Sequence, residues 1–172
     1  MYNKVYIEIT NICNMNCSFC HGHSRAPKRM SKDEFSLILD NLTGQTEYIY
    51  YHLMGEPLTH PLLPDFLKLA SERGYKSIIT TNGTLISKRK EELLSSGVHK
   101  INISLHSFEG LADEHYTRHI CELADFAKCA ADKGIIIVFR LWNNGFDGGK
   151  NEIVFNLLKE NTPAIFSRLS LL

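Results

Sequence analysis

The sequence predicts an α/β fold in which parallel strands alternate with helices, and it favours a barrel-like ring over an open doubly wound sheet. Short apolar runs alternate with longer amphipathic segments along the 172 residues. Three of the predicted helices end in one way, with a glycine that leads at once into a strand: Gly74, Gly97 and Gly134. Strands that are separated by helices must run parallel, with right-handed crossovers, so these observations predict repeated β–α units.

The elements follow in chain order. Residues 4–10 read as the first strand, and a helix over residues 31–42 begins with a capping box formed by Ser31 and Glu34. The further strands are predicted over 48–54, 76–81, 99–105 and 135–141, and the further helices over 62–73, 87–96, a segment ending at 133, and 151–160. Residues 164–169 fit either a sixth strand or the start of a helix that Thr162 and Pro163 would open.

The composition is that of an ordinary globular domain, with 44% hydrophobic and 22% charged residues, so residues 1–172 are expected to form a single domain. Lys plus Arg equals Asp plus Glu at 19 each, so no overall field favours nucleic acid or an anionic membrane. No apolar run reaches about 18 residues, so no membrane span is expected. Five cysteines, three of them clustered, argue against a disulfide scaffold and favour the cytoplasm.

Side-chain alternation separates the barrel from the open sheet. The fourth strand carries apolar residues on one face and Asn102, Ser104 and His106 on the other, and the fifth strand carries Arg140 and Trp142 on one face. Any one of these residues alone would more simply be a satisfied core polar group or a loop cap. Polar residues at the carboxyl ends of successive strands are typical of a barrel, whose active site lies at those ends.

A cysteine-rich loop follows the first strand directly. Cys13, Cys17 and Cys20 have the spacing C-x3-C-x2-C. Three thiolates are soft ligands that favour zinc or an iron–sulfur cluster. A four-iron cluster held by three cysteines would leave one iron free for another ligand. Two alternatives remain open at this point, a Cys3His zinc site that uses His21 or His23 and a loop of reduced, unliganded cysteines.

This spacing, with Phe19 before the last cysteine, resembles the signature of the radical S-adenosylmethionine (radical SAM) superfamily. The turn Met54-Gly55-Glu56-Pro57 is similar to that family's Gly-Gly-Glu-Pro element, with Met54 in place of the first glycine. Residues 80–84 and 102–107 resemble its third-strand and fourth-strand elements. The resemblance covers residues 4–145 and implies a partial (β/α)6 TIM-like barrel. The sequence marks five of its strands, so we expect a chain that is truncated at its C-terminus or a minimal member.

The resemblance also implies the cofactors and their ligands. Cys13, Cys17 and Cys20 would bind a 4Fe–4S cluster whose free iron binds S-adenosylmethionine. Gly55 and Glu56 would receive the amino group of its methionine half. Side chains at the end of the sheet would orient the rest of the cofactor: Asn102 and Ser104 at the ribose or the carboxylate, Arg140 at the carboxylate, and Phe19 and Asn82 beside the adenosine.

The expected reaction is reductive cleavage of S-adenosylmethionine to a 5′-deoxyadenosyl radical, which then takes hydrogen from a substrate. A ferredoxin or flavodoxin would supply the electron. The substrate is a peptide, a small metabolite or a glycyl-radical enzyme awaiting activation, with His52 and Trp142 as candidate contacts and His106 as a candidate for proton transfer. Rival functions are a non-catalytic zinc module and an electron carrier or redox sensor. Cys121 and Cys129 are expected to pack as small hydrophobic residues.

Overall fold

The computed structural model describes residues 2–105, 113–141, 150–163 and 170–171. The strands are β1 Val5–Tyr6, β2 Tyr48–Tyr50, β3 Lys76–Thr81, β4 Lys100–Ser104, β5 Ile136–Arg140 and β6 Ser170–Leu171. The helices are α1 Lys32–Asn41, α2 Leu63–Glu72, α3 Lys90–Ser95, α4 Asp113–Asp132 and α5 Lys150–Asn161, and Pro57–Thr59 forms a single 3₁₀ turn.

All six strands belong to one parallel sheet, and their spatial order is the order of the chain, from β1 to β6. Each crossover therefore moves one strand further in the same direction. A doubly wound sheet needs a reversal of strand order, and none occurs between these strands. The prediction of an α/β, barrel-like fold is confirmed. The predicted strand or helix at 164–169 lies outside the described residues, and the sixth strand pairs through Ser170 and Leu171.

One face of the sheet packs against the helices. Ile49, Ile79 and Ile101 are fully buried on this face, and the ring of Tyr51 lies 5.8 Å from the ring of Phe35 on α1. The opposite, inner face carries Thr80, Asn102 and Val138 in one register row and Ser104 beside Arg140 in the next. The predicted alternation is therefore confirmed for Asn102, Ser104 and Arg140, while His106 and Trp142 lie outside the described residues.

The local signals for helix ends are confirmed as well. Ser31 and Glu34 form both hydrogen bonds of the predicted capping box. The glycines that end three helices have positive φ values, 81° at Gly74, 76° at Gly97 and 75° at Gly134. Within the described ranges, every helix is too short or too polar to cross a membrane.

Both β1 and β2 are shorter than predicted, and after β1 the chain soon forms other contacts. Ile7 still donates to the carbonyl of Tyr50 (2.8 Å), but the carbonyl of Ile9 accepts from Met30 (2.8 Å), and Thr10 pairs antiparallel with Arg29. The returning end of the cysteine loop therefore lies beside the end of the first strand. This arrangement holds both ends of that loop at the carboxyl edge of the sheet.

Candidate functional site

Asn11 closes the base of the cysteine loop. Its side-chain Nδ2 donates to the carbonyl of Ala26 (2.8 Å), and its Oδ1 accepts from the backbone N–H of Lys28 (2.7 Å). The hydroxyl of Thr10 adds a bond to the carbonyl of Lys28 (3.1 Å). The sequence analysis did not single out Asn11, because an asparagine after a strand is also an ordinary turn residue.

The three cysteines of the loop are free thiols, with Cys13 and Cys20 exposed and Cys17 half-buried. The backbone N–H of Cys20 donates to the carbonyl of Cys17 (3.0 Å), which forms a tight turn between the second and third cysteines. Backbone N–H groups also point at two of the sulfurs, from Met15 to Cys13 (3.4 Å) and from Gly22 to Cys20 (3.5 Å). Hydrogen bonds to the sulfurs are among the features by which a protein tunes an iron–sulfur centre.

Burial and neighbouring charges act on the thiol of Cys13. Burial raises the pKa of its thiol, the N–H of Met15 opposes the shift, and the charges of Glu56, Cys17 and Cys20 raise the pKa further. Coordination to a metal would override these effects, because a coordinating thiol is deprotonated outright.

The donor set of the loop fits an iron–sulfur cluster. In the part of the chain that the structure describes, no three His, Cys, Asp or Glu side chains are grouped to hold a single metal ion. A four-iron cubane requires a different arrangement of ligands. Each cysteine binds a different iron, so the three sulfurs need not converge on one point. Of the two histidines considered as a fourth zinc ligand, His23 has Nε2 at 2.7 Å from the carbonyl oxygen of Asn11, and His21 is exposed.

Gly55 lies against the start of the cysteine loop. Its φ is 77°, and a Cβ atom there would lie 2.6 Å from the carbonyl oxygen of Thr10 and 2.8 Å from the carbonyl carbon of Asn11. The next residue donates its backbone N–H to the carbonyl of Ile12 (2.9 Å). Only glycine allows this backbone conformation and this approach together, so the turn after β2 and the cysteine loop form one unit.

Glu56 is buried beneath that unit, with 2% of its surface exposed. One carboxylate oxygen accepts from the N–H of Leu58 (2.9 Å) and the hydroxyl of Thr81 (2.7 Å), and the other accepts from the N–H of Asn82 (2.7 Å). Burial raises the pKa of the carboxyl group, and the three donors oppose that shift. The carboxylate therefore joins the turn after β2 to the end of β3. A ligand that contacts this carboxylate would do so in addition to the three protein donors.

Asn82 directly follows β3 and lies beside the cysteine loop. Its side-chain Nδ2 donates to Oδ1 of Asn14 (3.0 Å) and lies 4.0 Å from the sulfur of Cys13. Its Oδ1 accepts from the backbone N–H (3.0 Å) and the hydroxyl (2.7 Å) of Thr84. The side chain that the resemblance places beside the adenosine is thus directed toward the first cysteine. Phe19, the other residue placed there, is 52% exposed.

A second group of predicted residues lies together on the inner face of the sheet. Nδ2 of Asn102 donates to the hydroxyl of Thr80 (3.2 Å), and Ser104 pairs in register with Arg140. His52 extends the group toward β1, where its ring lies edge-on to Tyr6 with 5.5 Å between the ring centroids. Two buried polar atoms of this group, Oδ1 of Asn102 and Nδ1 of His52, have no hydrogen-bond partner among the described residues. Such orphaned atoms fit a site that receives a polar ligand.

Burial and the positive charge of Arg140 both affect the pKa of His52. Burial lowers the pKa of His52 to about 4, and the positive charge of Arg140 adds to that effect. The imidazole is therefore neutral at pH 7 and offers an uncharged nitrogen to the inner face.

The sequence analysis did not predict the partner of Glu8. The guanidinium of Arg25, in the cysteine loop, donates two hydrogen bonds to the Glu8 carboxylate, which also accepts from the N–H of Met54 (3.0 Å). The bonds with Arg25 lower the pKa of Glu8. The position of Glu8 in an otherwise apolar strand indicates that its carboxylate needs a partner. No local pattern identifies that partner, because Arg25 lies 17 positions away.

The last two cysteines lie outside this site. Both Cys121 and Cys129 are half-buried free thiols on α4. The side-chain amide of Asn161 on α5 lies 3.8 Å from the sulfur of Cys121.

The sequence profile of the radical SAM superfamily matches residues 7–142. A tungsten-containing aldehyde ferredoxin oxidoreductase cofactor-modifying protein of Pyrococcus furiosus is 33% identical over 106 residues, which are 59% of this chain and 30% of that protein. A probable GTP 3′,8-cyclase of Sulfolobus acidocaldarius is 32% identical over 116 residues, 60% of this chain and 34% of that protein. The chain thus spans about a third of the length of these curated relatives.

Solved structures show the same fold. SuiB of Streptococcus suis, bound to S-adenosylmethionine, superposes with a TM-score of 0.59 at 17% identity and covers 98% of this chain and 48% of that one. SuiB bound to the precursor peptide SuiA gives a TM-score of 0.58 over the same shares of the two chains.

Proposed function

The chain belongs to the radical SAM superfamily, and on that premise we propose that it is an enzyme that binds a 4Fe–4S cluster through Cys13, Cys17 and Cys20 and binds S-adenosylmethionine beside it. When bound, this pair of cofactors supplies one-electron cleavage of S-adenosylmethionine to methionine and a 5′-deoxyadenosyl radical that takes hydrogen from a substrate. The observation that carries the proposal is the position of three free thiols in a loop that packs against Gly55 at the carboxyl edge of a parallel sheet.

The inner face supplies the groups that would hold the methionine half and the ribose. Arg140 offers a planar guanidinium, which matches a carboxylate better than an ammonium group does. Ser104 is its register partner, and the unpartnered Oδ1 of Asn102 can accept a hydrogen bond from a ribose hydroxyl or an amino group. The backbone at Gly55 is open to the amino group because no side chain stands there, and Glu56 holds that turn in place.

The substrate is proposed to lie along the inner face next to this cofactor. His52 presents a neutral ring beside Tyr6 and Tyr50 there, and these groups can receive a polar substrate. Trp142 and His106, which lie outside the described residues, remain proposed as a substrate contact and a proton-transfer group. Phe19 and Asn82 remain proposed neighbours of the adenosine.

Two classes of substrate are compatible with the relatives. One relative is named as a cyclase of GTP, a small molecule, and one structural neighbour was solved with a precursor peptide. We therefore propose a small molecule or a peptide as substrate, a ferredoxin or flavodoxin as electron donor, and the cytoplasm as location. In the part of the chain that is described, nothing favours the zinc module or the activation of a glycyl-radical enzyme.

Anaerobic reconstitution tests the proposal directly. Wild-type protein should take up about four irons per chain and, with a strong reductant, form 5′-deoxyadenosine from S-adenosylmethionine. Cys17→Ala should lose both properties. Cys121→Ala is the matched control, because it removes a free thiol on α4 and should leave the iron content unchanged. A wild-type chain that holds no iron, or a Cys17→Ala chain that still forms 5′-deoxyadenosine, would overturn the proposal.

A further inference from the structure

Asn82 belongs to a closed ring of three hydrogen-bonded side chains beside the cysteine loop. Asn14 donates through Nδ2 to the hydroxyl of Thr84 (2.8 Å), that hydroxyl donates to Oδ1 of Asn82 (2.7 Å), and Nδ2 of Asn82 donates back to Oδ1 of Asn14 (3.0 Å). The ring joins the cysteine loop to the end of β3 across 68 positions of sequence. A fully satisfied ring of this kind fixes the orientation of each member.

The backbone of Asn82 is fixed from the other side. Its N–H donates to the buried carboxylate of Glu56 (2.7 Å), which also accepts from the hydroxyl of Thr81, the residue before it. Asn82 itself is 9% exposed. With its backbone and its amide oxygen both held, the second hydrogen on Nδ2 remains for the sulfur of Cys13, at 4.0 Å and the outer limit of an N–H···S contact.

We propose that Asn82 is a positioning residue for the iron–sulfur cluster, which holds the first cysteine of the loop in place and donates a hydrogen bond to its sulfur. This inference rests on the proposed function, because it needs the cluster to be bound by Cys13. Hydrogen bonds to ligating sulfurs set the reduction potential of a cluster, since they stabilise the extra negative charge of the reduced state. The amide of Asn82 therefore raises the potential of the cluster and makes it easier to reduce.

The test compares Asn82→Leu with wild-type protein. Leucine has a similar size and no polar atom, and the backbone bond to Glu56 is kept. The readout is the midpoint potential of the anaerobically reconstituted cluster, followed by EPR during a redox titration without S-adenosylmethionine. The expected result is a shift to a more negative potential. Asn16→Leu is the matched control, because Asn16 is an exposed asparagine of the same loop; its midpoint should equal that of the wild type.

A third variant separates the donor from the ring. Thr84→Val breaks the ring but keeps the amide of Asn82, so its midpoint should move less than that of Asn82→Leu. Equal midpoints and equal iron contents for wild type and Asn82→Leu would overturn the inference while leaving the proposed function intact. A wild-type chain without a cluster would instead contradict the proposed function.

Loss of the cluster in the variant is also informative. If iron-free Asn82→Leu melts at the wild-type temperature and yet fails to hold iron, the positioning role is supported. If iron-free Asn82→Leu melts at a lower temperature than wild type, Asn82→Ser is used as the test variant instead. Its hydroxyl is too short to reach the cysteine loop, so the bond to the sulfur is still removed. Asn82→Ser should again give a more negative midpoint, and an unchanged midpoint would count against the inference.

Discussion

The carboxylate of Glu56 accepts a hydrogen bond from the backbone N–H of Asn82 at 2.7 Å, and this bond joins the turn after β2 to the end of β3. Thr81 and Leu58 donate to the other oxygen of the same carboxylate. Through Gly55 and Ile12 the turn is also packed on the cysteine loop. Glu56 therefore connects the loop that would hold the cluster to the sheet beneath it.

Glu56→Gln should destabilise the iron-free protein by about 1–3 kcal/mol. The amide NH₂ of glutamine must face one of three donors that now meet an oxygen, so at least one buried N–H or O–H loses its acceptor. Urea unfolding at pH 7 measures the change. Glu72→Gln, an exposed carboxylate at the end of α2, should change the free energy of unfolding by less than about 0.5 kcal/mol. Equal stabilities of the two variants would show that the carboxylate does not act as described.

Gly55→Ala should destabilise the chain more than Gly74→Ala does. Both residues have positive φ, at 77° and 81°, so both variants carry the strain of a left-handed alanine, about 1–2 kcal/mol. Only at position 55 would the new Cβ meet backbone, with Thr10 at 2.6 Å; at position 74 no atom lies within 4 Å. Thermal unfolding of the iron-free proteins gives the difference. Gly55→Ala should also lower the iron content after reconstitution, whereas Gly74→Ala should not.

His52 should make the folded protein less stable in acid. Its pKa is lowered from 6.5 to about 4, chiefly by burial and then by Arg140, so the unfolded chain binds a proton at His52 more readily than the folded one. Its contribution to stability is therefore complete above about pH 6.5 and is lost as the pH falls toward 4. As the pH falls from 6.5 to 4, the melting temperature of His52→Gln should therefore rise relative to that of the wild type. A difference in melting temperature that stays constant between pH 6.5 and pH 4 would contradict this account.

Arg140→Lys should weaken the binding of S-adenosylmethionine by roughly tenfold to hundredfold, because a charged hydrogen bond contributes about 1.5–3 kcal/mol and an ammonium group cannot bind a carboxylate in bidentate fashion. Binding to the reconstituted protein can be measured by isothermal titration under anaerobic conditions. Arg29→Lys, an exposed arginine next to Met30, is the control and should bind as the wild type does. An unchanged affinity of Arg140→Lys would remove Arg140 from the proposed cofactor site.

Local patterns predicted most of the fold. The capping box of Ser31 and Glu34 and the helix-ending glycines depend on contacts within a few residues, so a single sequence contains the whole signal. The inner face was also predictable, because alternation along β4 places Asn102 and Ser104 on one side whatever the strand pairs with. The end of β1 was not, because it depends on where the cysteine loop returns.

The sequence by itself determined the parallel β–α order, the polar face of the sheet and the cysteine spacing that indicates the family. Only the tertiary structure decided that Asn82 turns its amide to Asn14 and Cys13, that Glu56 is enclosed by three donors, and that Arg25 binds Glu8. The reason is physical. Which face a strand residue occupies follows from the geometry of its own backbone, whereas the partner of a side chain depends on how distant segments close around it.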